Sequence, residues 1–179
     1  AGITPWNYPL DQATFKLFAA MAAGNTVVLK PSQNAPLCCC ILAEAIEEAG
    51  FPNGVFNLVT GAGGEVGNAI ALHEGIDALS FTGSTSGGIE VGKLALSTVK
   101  KITLELGGKS PLVVLEGADL EAAVADACSS AFMNTGQTCC AYTRMLIPES
   151  KKDEIEALLK AEAEKYITGD PLDPETEVG

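Results

Sequence analysis

Histidine and tryptophan are nearly absent: His73 and Trp6 are the only ones among 179 residues. A thiol activated by a neighbouring histidine therefore has one candidate at most. Basic residues are scarce too, 11 Lys and Arg against 23 Asp and Glu, for a net charge of −12. That balance leaves no footprint for the phosphate backbone of a nucleic acid. The acidic residues spread over helical stretches such as 152–165, which read as solvated surface. No CxxC spacing occurs. The six cysteines form a triplet (Cys38, Cys39, Cys40), a single Cys128 and a pair (Cys139, Cys140), a pattern of neither a disulfide scaffold nor a metal site. A reducing cytoplasm is the expected compartment. These 179 residues show no signal-peptide pattern, no apolar run of membrane length, no repeat and no low-complexity tract. A strand-like start at Ala1-Gly2-Ile3 and a Pro- and Asp-rich end read as a fragment, expected to be inactive alone.

What is present is alternation. Short runs rich in Val, Ile, Leu and Phe predict strands over 26–30, 54–59, 76–81, 101–106, 111–116 and 143–148. Helical spacing of apolar residues lies between them, over 37–49, 65–72 and 89–98. Asp119 is placed to cap a further helix, and another follows Ser150 to about Tyr166. This order predicts an α/β fold, a Rossmann-like parallel sheet covered by helices, followed by the start of a second α/β unit. Gly107-Gly108 is the candidate hinge, giving units 1–107 and 108–179.

Glycine-rich turns follow two of the strands. "SFTGSTSGG" (80–88) and "TGAGGEVG" (60–67) both depart from GxGxxG. Each is either an ordinary βα turn or an anion site, where glycine lets a phosphate approach the backbone N–H groups of a helix start. "VVLKPSQ" (27–33) puts Lys30 and Ser32 in a loop at the same sheet edge. There Lys30 either reaches a ribose or phosphate or snorkels to solvent. Glu105, in "TLELGGK", is a carboxylate in an apolar strand. Burying it would be costly and would suit general-base work; an edge strand would let it face water. Asn7 of "ITPWN" is either an oxyanion donor or an Asx-turn residue. Cys38 to Cys40 look like small core residues of an apolar helix. Cys139 and Cys140 follow the polar stretch Asn134-Thr-Gly-Gln instead, where backbone N–H groups and a helix dipole would favour a thiolate.

Together "ITPWNYPL", "AAGNTVVLKPS", "AGFPNGVFNLVTG", "FTGST", "LELGGKSP" and "GQTCCAYTR" resemble the aldehyde dehydrogenase superfamily, in its motif order and across essentially the whole chain. Glu105 precedes Cys139 by 34 residues, the interval usual in that family. The resemblance implies that Cys139 is the nucleophile, Glu105 the general base, Asn7 the oxyanion donor and Lys16, in "ATFKL", a proton-relay residue. It implies NAD or NADP as cofactor. Ile3, Thr4, Pro5, Trp6 and Leu106 would lie toward the nicotinamide, and Lys30, Ser32 and Gln33 toward the adenosine ribose. Gly63 and Gly67 would lie by the adenine side, and Phe81, Thr82, Gly83 and Ser84 at the pyrophosphate. Gln33 stands where the family often has a glutamate that would repel a 2′-phosphate, so NADP is expected to be accepted beside NAD.

The implied reaction is oxidation of an aldehyde to a carboxylic acid through a cysteine thiohemiacetal and thioester. Glu105 favours this acid-forming branch over the CoA-acylating one. The implied assembly is a homodimer or homotetramer of the full-length enzyme, with a small-molecule aldehyde as substrate and no metal, nucleic acid or membrane partner. The alternative is a catalytically silent, cofactor-binding or structural relative, which has no physical reason to keep Cys139, Glu105 and Asn7 together. A thiol oxidoreductase using Cys139-Cys140 is disfavoured, because adjacent cysteines close a strained ring.

Overall fold

A computed structural model describes all residues, Ala1 to Gly179. The chain divides into two units, Ala1–Gly107 and Gly108–Gly179. In the first, five strands form one parallel sheet: β1 (Gly2–Ile3), β2 (Val27–Lys30), β3 (Phe56–Leu58), β4 (Ala78–Gly83) and β5 (Lys101–Leu106). Their order is β3-β2-β1-β4-β5. The chain runs outward from β1 in one direction and then restarts on its other side, the doubly wound arrangement of Rossmann-like folds.

Alternation along the strands builds two cores. Val27 and Leu29 of β2 point to one face, where they meet Ala13 and Leu17 of α1 (Pro9–Ala22) and Cys39 and Ile46 of α2 (Leu37–Glu48). Leu79 and Phe81 of β4 point to the other, against Ile70 and Ala71 of α3 (Asn68–Leu72) and Val91 and Ala95 of α4 (Thr85–Leu96). Strand β2 (VVLK) is apolar at its first three positions, as a strand covered on both faces requires, whereas β4 (ALSFTG) and β5 (KITLEL) alternate apolar with polar residues.

The predicted strand over 101–106 has the observed bounds; the others differ by a few residues at their ends. Two helices differ more. The predicted 65–72 segment is a π-helical turn, Gly63–Gly67, followed by the short α3. Helix α4 starts four residues before its predicted position, because the Ser84 side chain accepts from the Gly87 N–H at 3.1 Å and caps it. Helix α1 was not predicted at all. Its signals are Pro9 in the first turn, Asp11 beside it, and Ala13 and Leu17 one turn apart.

The second unit pairs β6 (Ser110–Val113) in parallel with β7 (Tyr142–Leu146). Helix α5 (Leu120–Phe132) makes the crossover that parallel pairing requires. Asp119 caps it as predicted, accepting from the Ala122 N–H at 3.0 Å. Helix α6 (Lys152–Ala163) packs against α5 through Ile155, and Phe132 meets Tyr166 edge to face at 4.9 Å. No helix is long and apolar enough to cross a membrane.

Candidate active site

In a doubly wound sheet the ligand crevice lies beyond the carboxyl ends of the strands, where the strand order reverses. Here that point is between β1 and its neighbours. Thr4 follows β1 and donates its backbone N–H to the Lys30 carbonyl at 3.0 Å. Its hydroxyl is buried with no hydrogen-bond partner. Lys30 ends β2 and is only 2% exposed, so it does not snorkel. Its Nζ donates to the Pro31 carbonyl at 3.0 Å, and burial lowers its pKa with no charged neighbour to offset it. An orphaned hydroxyl just past β1 and an uncompensated buried cation at the end of β2 fit a polar, ribose- or phosphate-bearing group at this sheet edge.

Beyond β4, Gly83 leads into the capped start of α4. A Cβ at Gly83 would come within 2.8 Å of the Phe81 ring, and one at Gly87 within 3.1 Å, so glycine is required for this turn to lie flat on the ring. Ile3 and Phe81 are core side chains, which leaves only their main-chain groups for a ligand. Gly63 has open space around it and Gly67 is buried near Ile3. Ser32 is half-buried, Gln33 and Trp6 are exposed, and Pro5 and Asn7 are half-buried.

Lys16, Thr82 and Glu105 converge on the α1 face of the sheet. Thr82 and Glu105 are register partners of β4 and β5, so their side chains project from the same face. Lys16 Nζ donates to Thr82 Oγ1 at 2.7 Å. Burial lowers the Lys16 pKa, and the attraction of Glu105 partly restores it. Thr82, on the strand whose end is expected to meet the pyrophosphate, has its hydroxyl engaged by Lys16. Glu105 faces water, one of the two readings that its sequence leaves open: it lies on β5, the outermost strand of this sheet, and is exposed. Leu106 packs under α4, where a Cβ at Gly88 would meet its Cδ2 at 2.5 Å.

In the second unit, Cys139 and Cys140 are exposed in a turn between the 3₁₀ segment Met133–Gly136 and β7. No helix begins at this turn, so the helix dipole expected to favour a thiolate is not supplied. The preceding loop carries backbone strain that the sequence did not signal. Asn134, Thr135 and Gly136 have φ of 52°, 57° and 74°, and a β-branched residue in the left-handed region costs on the order of 1–3 kcal/mol. Side-chain bonds hold the loop closed: Asn134 Nδ2 to the Gln137 carbonyl at 3.3 Å and Thr138 Oγ1 to the Met133 carbonyl at 3.2 Å. Of the cysteine triplet, only Cys39 is fully buried; Cys38 and Cys40 are half-buried, which corrects the reading of all three as core.

The profile of the Aldehyde dehydrogenase family matches residues 1–179. The chain belongs to the aldehyde dehydrogenase family. It is 49% identical over 177 residues to a 3-succinoylsemialdehyde-pyridine dehydrogenase of a Pseudomonas species, covering 99% of this chain and 37% of that protein. A probable betaine aldehyde dehydrogenase of Schizosaccharomyces pombe is 46% identical, with 99% and 35% covered. Among solved structures, the C291A mutant of aldehyde dehydrogenase C from Pseudomonas syringae, in complex with NAD+ and octanal, superposes with a TM-score of 0.96 at 48% identity, covering 99% of this chain and 37% of that one. A 3,6-anhydro-L-galactose dehydrogenase bound to NADP gives 0.96 at 40% identity, with 99% and 37% covered. The chain thus spans little more than a third of these aldehyde dehydrogenases.

Proposed function

We propose that this chain is the cofactor-binding and nucleophile-bearing part of an NAD(P)-dependent aldehyde dehydrogenase that oxidises an aldehyde to a carboxylic acid. The observation that carries the reading is the crevice at the strand ends, where Thr4 has an unpartnered hydroxyl and Lys30 a buried, unbalanced charge. Residues 1–107 would hold the cofactor, with Lys30, Ser32 and Gln33 toward the adenosine ribose and the α4 start toward the pyrophosphate. When bound, the nicotinamide supplies a hydride acceptor. Residues 108–179 would present Cys139.

The Cys139 sulfur attacks the aldehyde carbon, and the Asn7 amide holds the resulting oxyanion. Loss of hydride from that carbon leaves a thioester on Cys139. Glu105 takes a proton from water, the water oxygen attacks the thioester carbon, and the C–S bond breaks to release the acid and the thiolate. Lys16 first releases its own proton to solvent, which its burial favours, and its neutral amine then takes the proton from Glu105.

The test uses the full-length protein, NAD or NADP, and a panel of aldehydes, followed at the reduced-nicotinamide absorbance band. Reduction is expected for the parent and for Cys140→Ala, and should be lost in Cys139→Ala. Cofactor binding without reduction on any aldehyde would sink the proposal and leave the silent relative. Gln33→Glu is expected to shift the kcat/KM ratio toward NAD by about fivefold, as one introduced like-charge contact is worth ~1 kcal/mol in water. An unchanged ratio would remove Gln33 from cofactor selection.

A further inference from the structure

The cysteine triplet has no part in the proposed reaction, yet two of its sulfurs meet. Cys38 Sγ and Cys39 Sγ lie 4.0 Å apart in the first turn of α2. A disulfide requires about 2.05 Å and a particular dihedral. Reaching it would wrench a turn held by the Cys39 and Cys40 N–H groups, both of which donate to the Pro36 carbonyl, at 3.0 and 3.1 Å. Bridging by a metal ion requires much less movement. With metal–sulfur bonds of about 2.3 Å, two thiolates on one ion stand roughly 3.8 Å apart at the tetrahedral angle and roughly 4.6 Å apart when collinear. The observed separation falls between the two.

The surroundings narrow the kind of ion. No group of three or more His, Cys, Asp or Glu side chains is arranged to hold a metal, so a closed structural zinc centre is excluded and only two sulfurs are on offer. Hard cations need oxygen ligands, and the nearby oxygens are the carbonyls of Ala35, 4.0 Å from Cys38 Sγ, and Pro9, 3.8 Å from Cys39 Sγ. Thiolates select soft ions, Cu(I) foremost. We propose that Cys38 and Cys39 form a two-sulfur binding site for a soft, thiophilic cation of the Cu(I) class, entered from the half-buried Cys38 side and separate from the Cys139-Cys140 pair. Binding replaces two S–H protons by two metal–sulfur bonds, with no change in oxidation state. Cys39 lies on the α1–α2 core and contacts Pro9, the first residue of α1. A bound ion would therefore sit where these two helices meet.

The full-length protein would be titrated anaerobically with Cu(I) against a colorimetric Cu(I) chelator. The parent and Cys40→Ser are expected to bind one equivalent more than Cys38→Ser. An equal stoichiometry in parent and Cys38→Ser overturns the site. A measurement on the unmutated protein guards against a variant that fails to fold. With one equivalent of Cu(I), alkylation of Cys38 read by mass spectrometry should fall at least tenfold while Cys40 is unaffected. Unchanged alkylation of Cys38, or equal protection of Cys40, also overturns it.

Discussion

Three cysteines in a row differ in their chemistry because a helix turns them to different surroundings. Cys39 is fully buried, and its thiol is pushed up to about 12 by burial and by the neighbouring Cys38 and Cys40. Native-state alkylation at mild pH is expected to modify the exposed Cys139 and Cys140 and to spare Cys39. Modification of Cys39 at a comparable rate would mean that α2 opens locally. The same shift has a sign for stability. Since the folded value is raised above the ordinary 9.0, the contribution is fully present below that pH and is lost as pH rises toward about 12. Cys39→Ala should flatten this part of a stability-versus-pH curve. Lys16 behaves in the opposite sense: its folded pKa is lowered, so its ionisation opposes folding until pH climbs through the lysine range. Glu105→Gln removes the attraction that partly restores that pKa. The Lys16 titration, followed by NMR of labelled lysine, should therefore move further down; no movement would separate the two side chains.

Most helices were legible in the sequence because their ends are written in a few neighbouring residues. Asp119 was predicted as a cap and is one, through a single 3.0 Å bond. Asp119→Ala should cost about 1 kcal/mol in urea unfolding of the full-length protein, and Asp119→Asn distinctly less. Equal losses would mean the charge, not the cap, matters. Helix α1 is less legible although its proline, acid and apolar spacing stand in the sequence, because Tyr8 at its start supplies no capping side chain. The strained turn at Asn134 and Thr135 was illegible for a physical reason. Asn134 tolerates φ near 52°, but the β-branched Thr135 does not favour 57°, so the conformation comes from bonds to Met133 and Gln137 that local preference does not encode.

Large apolar side chains remain uncovered across the first unit. Leu37 is 75% exposed, Phe15 71% and Ile41 67%, on α1 and α2, and Leu96 on α4 is 65% exposed. Large apolar side chains left exposed on helices that already pack inward suit contact with further protein. The chain spans little more than a third of the aldehyde dehydrogenases it matches, and the expectation is that a full-length chain covers these faces. Residues 1–179 produced alone should enhance the fluorescence of an apolar dye severalfold over the full-length protein at equal concentration. Equal fluorescence would show that these faces are not covered in the longer chain.

Local chemistry was enough to specify the alternation of strands and helices, the cap at Asp119 and the family motifs around Glu105 and Cys139, since each depends on residues within a turn or two of one another. Contacts across the sheet needed the fold. Lys16 meets Thr82 across 66 residues only because β4 lies beside β1. Glu105 faces water only because β5 is the last strand of its sheet. Lys30 is buried at the end of β2, a strand flanked on both sides by β1 and β3. Each of these follows from strand order, which is set by the packing of two helical layers and not by any single stretch of chain.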